Sequence, residues 1–179
     1  YNWTNGNGGR WDRFVQKIGK APVVYSPEQV DNSITNIKDH LEYIGYYGSD
    51  VQSEIKVKKR TVTVVYNVSL GKRYPIKDIT LKLPKRGEFT EAFLADTSIF
   101  SVKTGDYLSE QSLEAETESL ASLMRNKGFY DFSKNNFFFE ADTVSDPSSA
   151  LLTMLVNEYT RNESPKDAEP IRKFYIDDV

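Results

Sequence analysis

The chain has 179 residues, which is enough for one or two domains, and its net charge of −3 lacks the basic surplus expected of a general nucleic-acid-binding protein. It contains no cysteine, which excludes disulfides, cysteine metal sites and thiol nucleophiles. No apolar run approaches the roughly 18 residues of a membrane-spanning helix. Because the sequence starts at Tyr1 without a Met, we expect it to be a piece of a longer protein.

A short helix is predicted at residues 10–19, and a longer, well-delimited helix at residues 27–44. Ser26 is suited to be the N-cap of the longer helix and is followed by Pro27, while Gly45 supplies the left-handed residue that commonly ends a helix. The apolar positions recur in steps of four and three, which puts them on one helical face. They are Val30, Ile34, Ile37, Leu41 and Ile44.

A β-hairpin is predicted between residues 51 and 71. Apolar and polar residues alternate from Val62 to Val68, as in a strand with one buried face. The basic cluster Lys56–Arg60 lies at the predicted tip, where a solvated turn is the common interpretation and attraction of an anionic partner is the alternative. A third strand follows within residues 71–84, with Pro75 at its start or edge.

The second half of the chain repeats this order. A short helix is predicted within residues 87–100, and a long one begins after Ser109 and ends at Gly128. Two strands follow at 135–144 and 150–160, joined by a turn at 146–149. The long helices both end in Gly-aromatic-Tyr. This repetition predicts tandem domains at residues 1–71 and 72–162, with residues 163–179 forming a linker and the first strand of a further, truncated domain.

The order and repetition of four motifs resemble the POTRA (polypeptide transport-associated) family. The motifs are HLEYIGYYGSDV, SLMRNKGFYDF, GKRYPIKDITL and KFYIDDV. POTRA domains occur in tandem ahead of the membrane barrel of BamA/TamA-type outer-membrane assembly factors, and the N-terminal stretch resembles Bacteroidetes-type members. The resemblance implies an α+β fold in which each β-α-α-β-β domain packs two helices on a three-stranded mixed sheet. The first strand of the first domain is expected to be missing or truncated.

The resemblance also implies a function. We expect a periplasmic interaction module of an outer-membrane protein, whose C-terminal β-barrel lies outside this sequence. Its partners would be unfolded outer-membrane protein clients and accessory assembly subunits, bound by β-augmentation. The POTRA region of a two-partner-secretion exporter is the alternative. A KH-like nucleic-acid-binding module is a distant one, because the connections between the helices contain no Gly-x-x-Gly loop.

Two strands, one after each Gly-aromatic-Tyr corner, are the candidate partner-binding edges, because the outermost strand of a sheet offers unpaired backbone groups. We favour the second edge, which contains three consecutive Phe residues. The alternation of side chains along a strand puts Phe137 and Phe139 on one face and Phe138 on the other. The candidate residues are Lys134, Asn135, Asn136, Phe137, Phe138 and Phe139 in the second edge, and Gln52, Glu54, Lys56 and Lys58 in the first.

No catalytic, metal or cofactor site is predicted. His40 is the only histidine and has no metal-ligating residue at helical spacing. Four glutamates, Glu110, Glu114, Glu116 and Glu118, occur along one helix and are interpreted as a solvated face. No Gly-x-Ser-x-Gly elbow is present. We therefore expect a binding module and not an enzyme.

Overall fold

The computed structural model describes residues 24–85, 87–95, 100–157 and 171–175. Three helices lie in this part of the chain: α1 Pro27–Tyr43, α2 Glu88–Leu94 and α3 Glu110–Asn126. Its strands are β1 Asp50–Lys58, β2 Thr61–Ser69, β3 Ile76–Lys82, β4 Phe137–Asp142 and β5 Ala150–Val156. They form two sheets, ordered β1-β2 and β3-β5-β4. The α+β class is confirmed, whereas the short helix expected at 10–19, the end of the strand expected at 150–160 and residues 163–170 of the predicted linker lie outside the described residues.

The first unit, residues 24–71, is a hairpin crossed by one helix. Strands β1 and β2 pair antiparallel from Asp50 opposite Ser69 to Lys58 opposite Thr61, and Lys59 takes a positive φ of 54° in the turn. The basic cluster therefore does lie at a hairpin tip. Two strands of the predicted three-stranded sheet are present among the described residues, as expected from the lack of a clear first strand in this half of the sequence.

The second unit, residues 72–157, has a three-stranded mixed sheet. Its central strand β5 pairs parallel with β3 and antiparallel with β4. The parallel pair needs a crossover, which α2 and α3 supply. Both helices contribute to one aromatic-rich core, which confirms the predicted arrangement for this half. Its buried residues include Phe89, Phe93, Leu120, Met124, Phe129, Phe132, Phe137 and Met154.

The fourth strand begins later than the predicted residue 135. Lys134–Asn136 form a 3-10 turn, in which Ser133 and Asn136 make reciprocal side-chain to backbone contacts. The Asn136 amide is buried and donates to the carbonyl oxygen of Asn157 at 3.1 Å. Local side-chain bonds of this kind compete with the strand ladder, so regular pairing starts only at Phe137.

The interpretation of the four glutamates as one solvated face is wrong for Glu116. This residue is 1% exposed. One of its carboxylate oxygens accepts the N–H of Ser101 at 2.9 Å, the N–H of Val102 at 3.2 Å and the hydroxyl of Ser101. Glu116 therefore anchors the segment that leads into α3, instead of facing solvent.

Replacing Glu116 with Ala is expected to lower the free energy of unfolding by about 1–3 kcal/mol, because two backbone N–H groups lose their acceptor. Glu118→Ala is the matched control, since Glu118 is exposed and its contact is a surface ion pair with Lys134. Urea denaturation of both variants measures the difference. Equal losses in the two variants would contradict the anchoring role.

The two units touch through the corner that follows α1. Tyr47 and Lys72 exchange two backbone hydrogen bonds of 2.9 Å each. The Arg73 guanidinium lies between the rings of Tyr46 and Tyr107, with its central carbon 4.9 and 4.0 Å from their centroids. The short connection between the sheets predicts such a contact. We expect this junction to be stiffer than the linker predicted after residue 162, and residues 158–170 lie outside the described part.

Candidate strand-binding edge

Strand β4 is one of the two outer strands of the second sheet, and its backbone has a defined open side. Asn157 donates its N–H to the carbonyl oxygen of Asn136 at 2.8 Å. Since bonded and non-bonded pairs alternate in an antiparallel ladder, the next bonded position is Phe138 opposite Leu155. The backbone groups of Phe139 and Ala141 therefore point away from β5, towards the open edge.

This geometry corrects the part of the edge expected to accept a partner. The N–H of Asn136 is hydrogen-bonded to the carbonyl oxygen of Ser133 at 3.1 Å. The backbone N–H of Phe138 points towards β5. The N–H of Phe137 is bonded to the carbonyl oxygen of Lys134. Among residues 136–141, the N–H groups of Phe139 and Ala141 point outwards, whereas those of Asn136, Phe137 and Phe138 do not.

The side chains follow the same alternation. Phe137 is 7% exposed and lies in the main core. Phe139 is half-buried and packs against both apolar clusters of the second unit. Phe138 is half-buried on the opposite face, so the predicted division of the three rings between two faces is confirmed. The residues with outward N–H groups thus carry their side chains on the helix side of the sheet.

A groove with a volume of about 450 Å³ runs beside this edge. Helix α3 and the loop before it form one wall, and the strand forms the other. The apolar and small residues along it are Leu108, Leu113, Thr117, Phe137, Phe139 and Ala141. The groove therefore combines open backbone groups with an apolar floor, which is the combination that an added strand requires.

One end of the groove is occupied by an ion-pair cluster. The Nζ of Lys134 lies 3.0 Å from a Glu114 carboxylate oxygen and 3.5 Å from one of Glu118. The other Glu114 oxygen accepts the hydroxyl of Tyr43, from the first unit, at 3.1 Å. Hydrogen bonds from Lys134 and Tyr43 hold the pKa of Glu114 below its usual value, and the bond to Glu114 raises the pKa of Lys134.

The second predicted edge lies in β1 of the first unit. Gln52, Glu54, Lys56 and Lys58 are all in this strand and exposed. Their register partners include Asn67 and Thr63. On the opposite face, Val51 is buried, whereas Ile55 and Val57 are 45% and 71% exposed. The structure therefore places the four predicted residues on a polar, solvent-facing surface, separate from the α3–β4 groove.

The groove also contains residues that were not predicted as site residues, among them Tyr47, Glu110, Leu113 and Thr117. Leu113 belongs to the apolar face of α3, so the helical period was a usable signal. Tyr47 arrives from the first unit, and only the packing of the two units brings it there.

In the part of the chain that the structure describes, no group of three or more His, Cys, Asp or Glu side chains is arranged to hold a metal ion. Within the same ranges, none of the helices has the length and apolar character needed to cross a bilayer. His40 lies exposed on α1.

Residues 13–71 match the family model of the POTRA domain, described as "Surface antigen variable number repeat". No curated protein matches the chain. Three solved structures that resemble it are BamA from Haemophilus ducreyi lacking POTRA domains 1–3 (18% identity, TM-score 0.44), POTRA domains 3–5 of BamA from Haemophilus influenzae (13%, 0.41) and POTRA domains 1–3 of Omp85 from Anabaena (13%, 0.38). The similarity covers 83%, 82% and 87% of this chain, but only 27%, 54% and 58% of those chains.

The family match and the α+β architecture confirm the resemblance drawn from the sequence motifs. The family match covers the described residues of the first unit. The second unit follows the β-α-α-β-β order that the resemblance predicts.

Proposed function

We propose that the chain is a periplasmic interaction module of an outer-membrane protein assembly factor and that it binds strands of unfolded client proteins by β-augmentation at β4. The observation that carries this proposal is the open edge of β4, where the N–H groups of Phe139 and Ala141 face a groove walled by α3. The family match at residues 13–71 supports the periplasmic, outer-membrane part of this proposal. Domain boundaries at residues 71 and 162 are part of the same proposal.

Strand addition suits clients with varied sequences. The backbone of β4 supplies the hydrogen bonds, so the partner needs no fixed side chain to extend the sheet. The half-buried Phe139 adds apolar surface on the groove side, and burial of such surface contributes about 25 cal/mol per Å². The affinity then depends mainly on the extended conformation of the client segment and on its alternating apolar side chains. Strands of outer-membrane proteins share both features.

A proline at Ala141 tests this edge directly. Proline removes the outward N–H but is tolerated on an edge strand, where that group is not part of the ladder. Ala141→Pro is expected to weaken binding of an unfolded outer-membrane-protein peptide by about three- to ten-fold, which corresponds to one lost hydrogen bond. Fluorescence anisotropy with a labelled peptide measures the change.

Ala141→Val is the matched control, because valine is close to proline in size and keeps the N–H. Circular dichroism establishes that both variants stay folded. If the folded proline variant binds the peptide as tightly as the valine variant does, β4 is not the docking edge. The strand β1, with Gln52 to Lys58, is then the next candidate.

A further inference from the structure

The α3–β4 groove is built from both units of the chain. Tyr47 of the first unit lines it together with Leu108 and Glu110 at the start of α3. Two backbone hydrogen bonds to Lys72 fix Tyr47, and its ring lies 5.7 Å from the ring of Tyr74. Tyr47 is therefore a positioned wall of the groove and not a loosely held surface residue.

The two ends of the groove differ in whether their carboxylates are paired. At the start of β4, Lys134 forms ion pairs with both Glu114 and Glu118. At the opposite end, Glu110 is exposed and forms no ion pair with any residue that the structure describes. Burial raises the pKa of the neighbouring Tyr47, and the charges of Glu110 and Glu42 raise it further. This end therefore presents uncompensated negative charge beside an aromatic ring.

We infer that the groove selects client strands that carry a basic residue next to two alternating apolar residues. The apolar side chains lie over Phe137 and Phe139, and the Lys or Arg lies between Tyr47 and Glu110. This inference rests on the proposed function, because it describes the strand that β4 would receive.

The spacing of residues along β4 determines the sequence pattern expected in the partner strand. Phe137, Phe139 and Ala141 succeed one another on the groove side of β4, and a strand advances about 3.3 Å per residue. A partner with apolar residues at i and i+2 places its residue i+4 at the Ala141 end if it runs parallel to β4. If it runs antiparallel, the basic residue precedes the apolar pair at i−2. A cation there gains both the Glu110 carboxylate and the face of the Tyr47 ring.

The test uses the full chain and four labelled nine-residue peptides. Two peptides carry Lys after or before a Phe-x-Val pair, and two carry Gln at the same positions. At low salt, one Lys peptide is expected to bind about three- to ten-fold more tightly than its Gln counterpart, as for a partly desolvated charge pair. The orientation that shows the preference reports the direction of the added strand.

Two substitutions test which residue of the chain causes the preference for the Lys peptide. Glu110→Gln is expected to abolish it, whereas Glu118→Gln, on the same helix beside Lys134, is expected to leave it unchanged. Equal binding of the Lys and Gln peptides to the parent chain would overturn the inference, as would a preference that survives Glu110→Gln.

The proline variant separates this inference from the proposed function. If the Gln peptides bind the parent chain and lose affinity in Ala141→Pro, while Lys brings no advantage, strand addition stands and the charge preference fails. If the peptides bind the parent and proline variants equally, or do not bind at all, both are overturned.

Discussion

Phe129→Ala is expected to lower the free energy of unfolding by about 3–5 kcal/mol, the range measured for truncating a fully buried Phe. Phe129 follows Gly128 at the end of α3 and is 1% exposed. Its ring meets that of Phe89 edge to face, with the centroids 5.3 Å apart. Its N–H is bonded to the carbonyl oxygen of Met124 at 3.0 Å, so the corner itself holds the ring in the core.

The neighbouring Tyr130 provides the control within the same motif. Tyr130 is 73% exposed, and Tyr130→Ala is expected to change the free energy of unfolding by less than about 0.5 kcal/mol. Guanidinium denaturation followed by circular dichroism compares the two variants. Similar losses would mean that the core does not close over the first aromatic residue of the Gly-aromatic-Tyr corner.

Features of the fold that depend on local signals were predictable. The helix predicted at 27–44 is observed at Pro27–Tyr43, because an apolar period, a proline at its start and a glycine after its end all act within a few residues. The start of β4 was missed, although its cause is also local. The contacts between Ser133 and Asn136 compete with the strand, and the alternation of Phe residues gives no sign of that competition.

The buried glutamate had a signal in the sequence that was passed over. Glu116 lies three residues after Leu113 and four before Leu120, so the helical period itself places it on the apolar face of α3. Its charge led to the solvent-facing interpretation. A buried carboxylate requires donors, and the backbone of Ser101 and Val102 supplies them from a segment whose position no periodicity predicts.

The candidate edge was predictable as an element, but its chemistry was not. The position of a strand after the Gly-aromatic-Tyr corner follows from the motif. Which N–H groups face outwards depends on the register with β5, and a shift of one residue would exchange Phe138 for Phe139 at the open edge. The contribution of Tyr47 depends on how two units pack, which lies beyond any local pattern.

Gly45→Ala is expected to destabilise the chain by about 1–3 kcal/mol more than Gly48→Ala does. Both glycines have positive φ, 92° and 71°, so both alanines carry the cost of a left-handed residue, about 1–2 kcal/mol. They differ in their surroundings. A Cβ on Gly45 would lie 2.4 Å from the carbonyl oxygen of Leu108, whereas a Cβ on Gly48 would meet nothing within 4 Å.

The difference between the two variants therefore isolates the close approach of the first unit to the start of α3. Leu108 is backbone-bonded to Tyr74 at 2.8 Å, so its carbonyl cannot move without disturbing the junction. We expect Gly45→Ala to shift the amide resonances of Leu108 and Ser109 and Gly48→Ala to leave them in place. If both variants lose the same stability and neither perturbs these amides, Gly45 serves only to end α1, and the two units do not meet at this point.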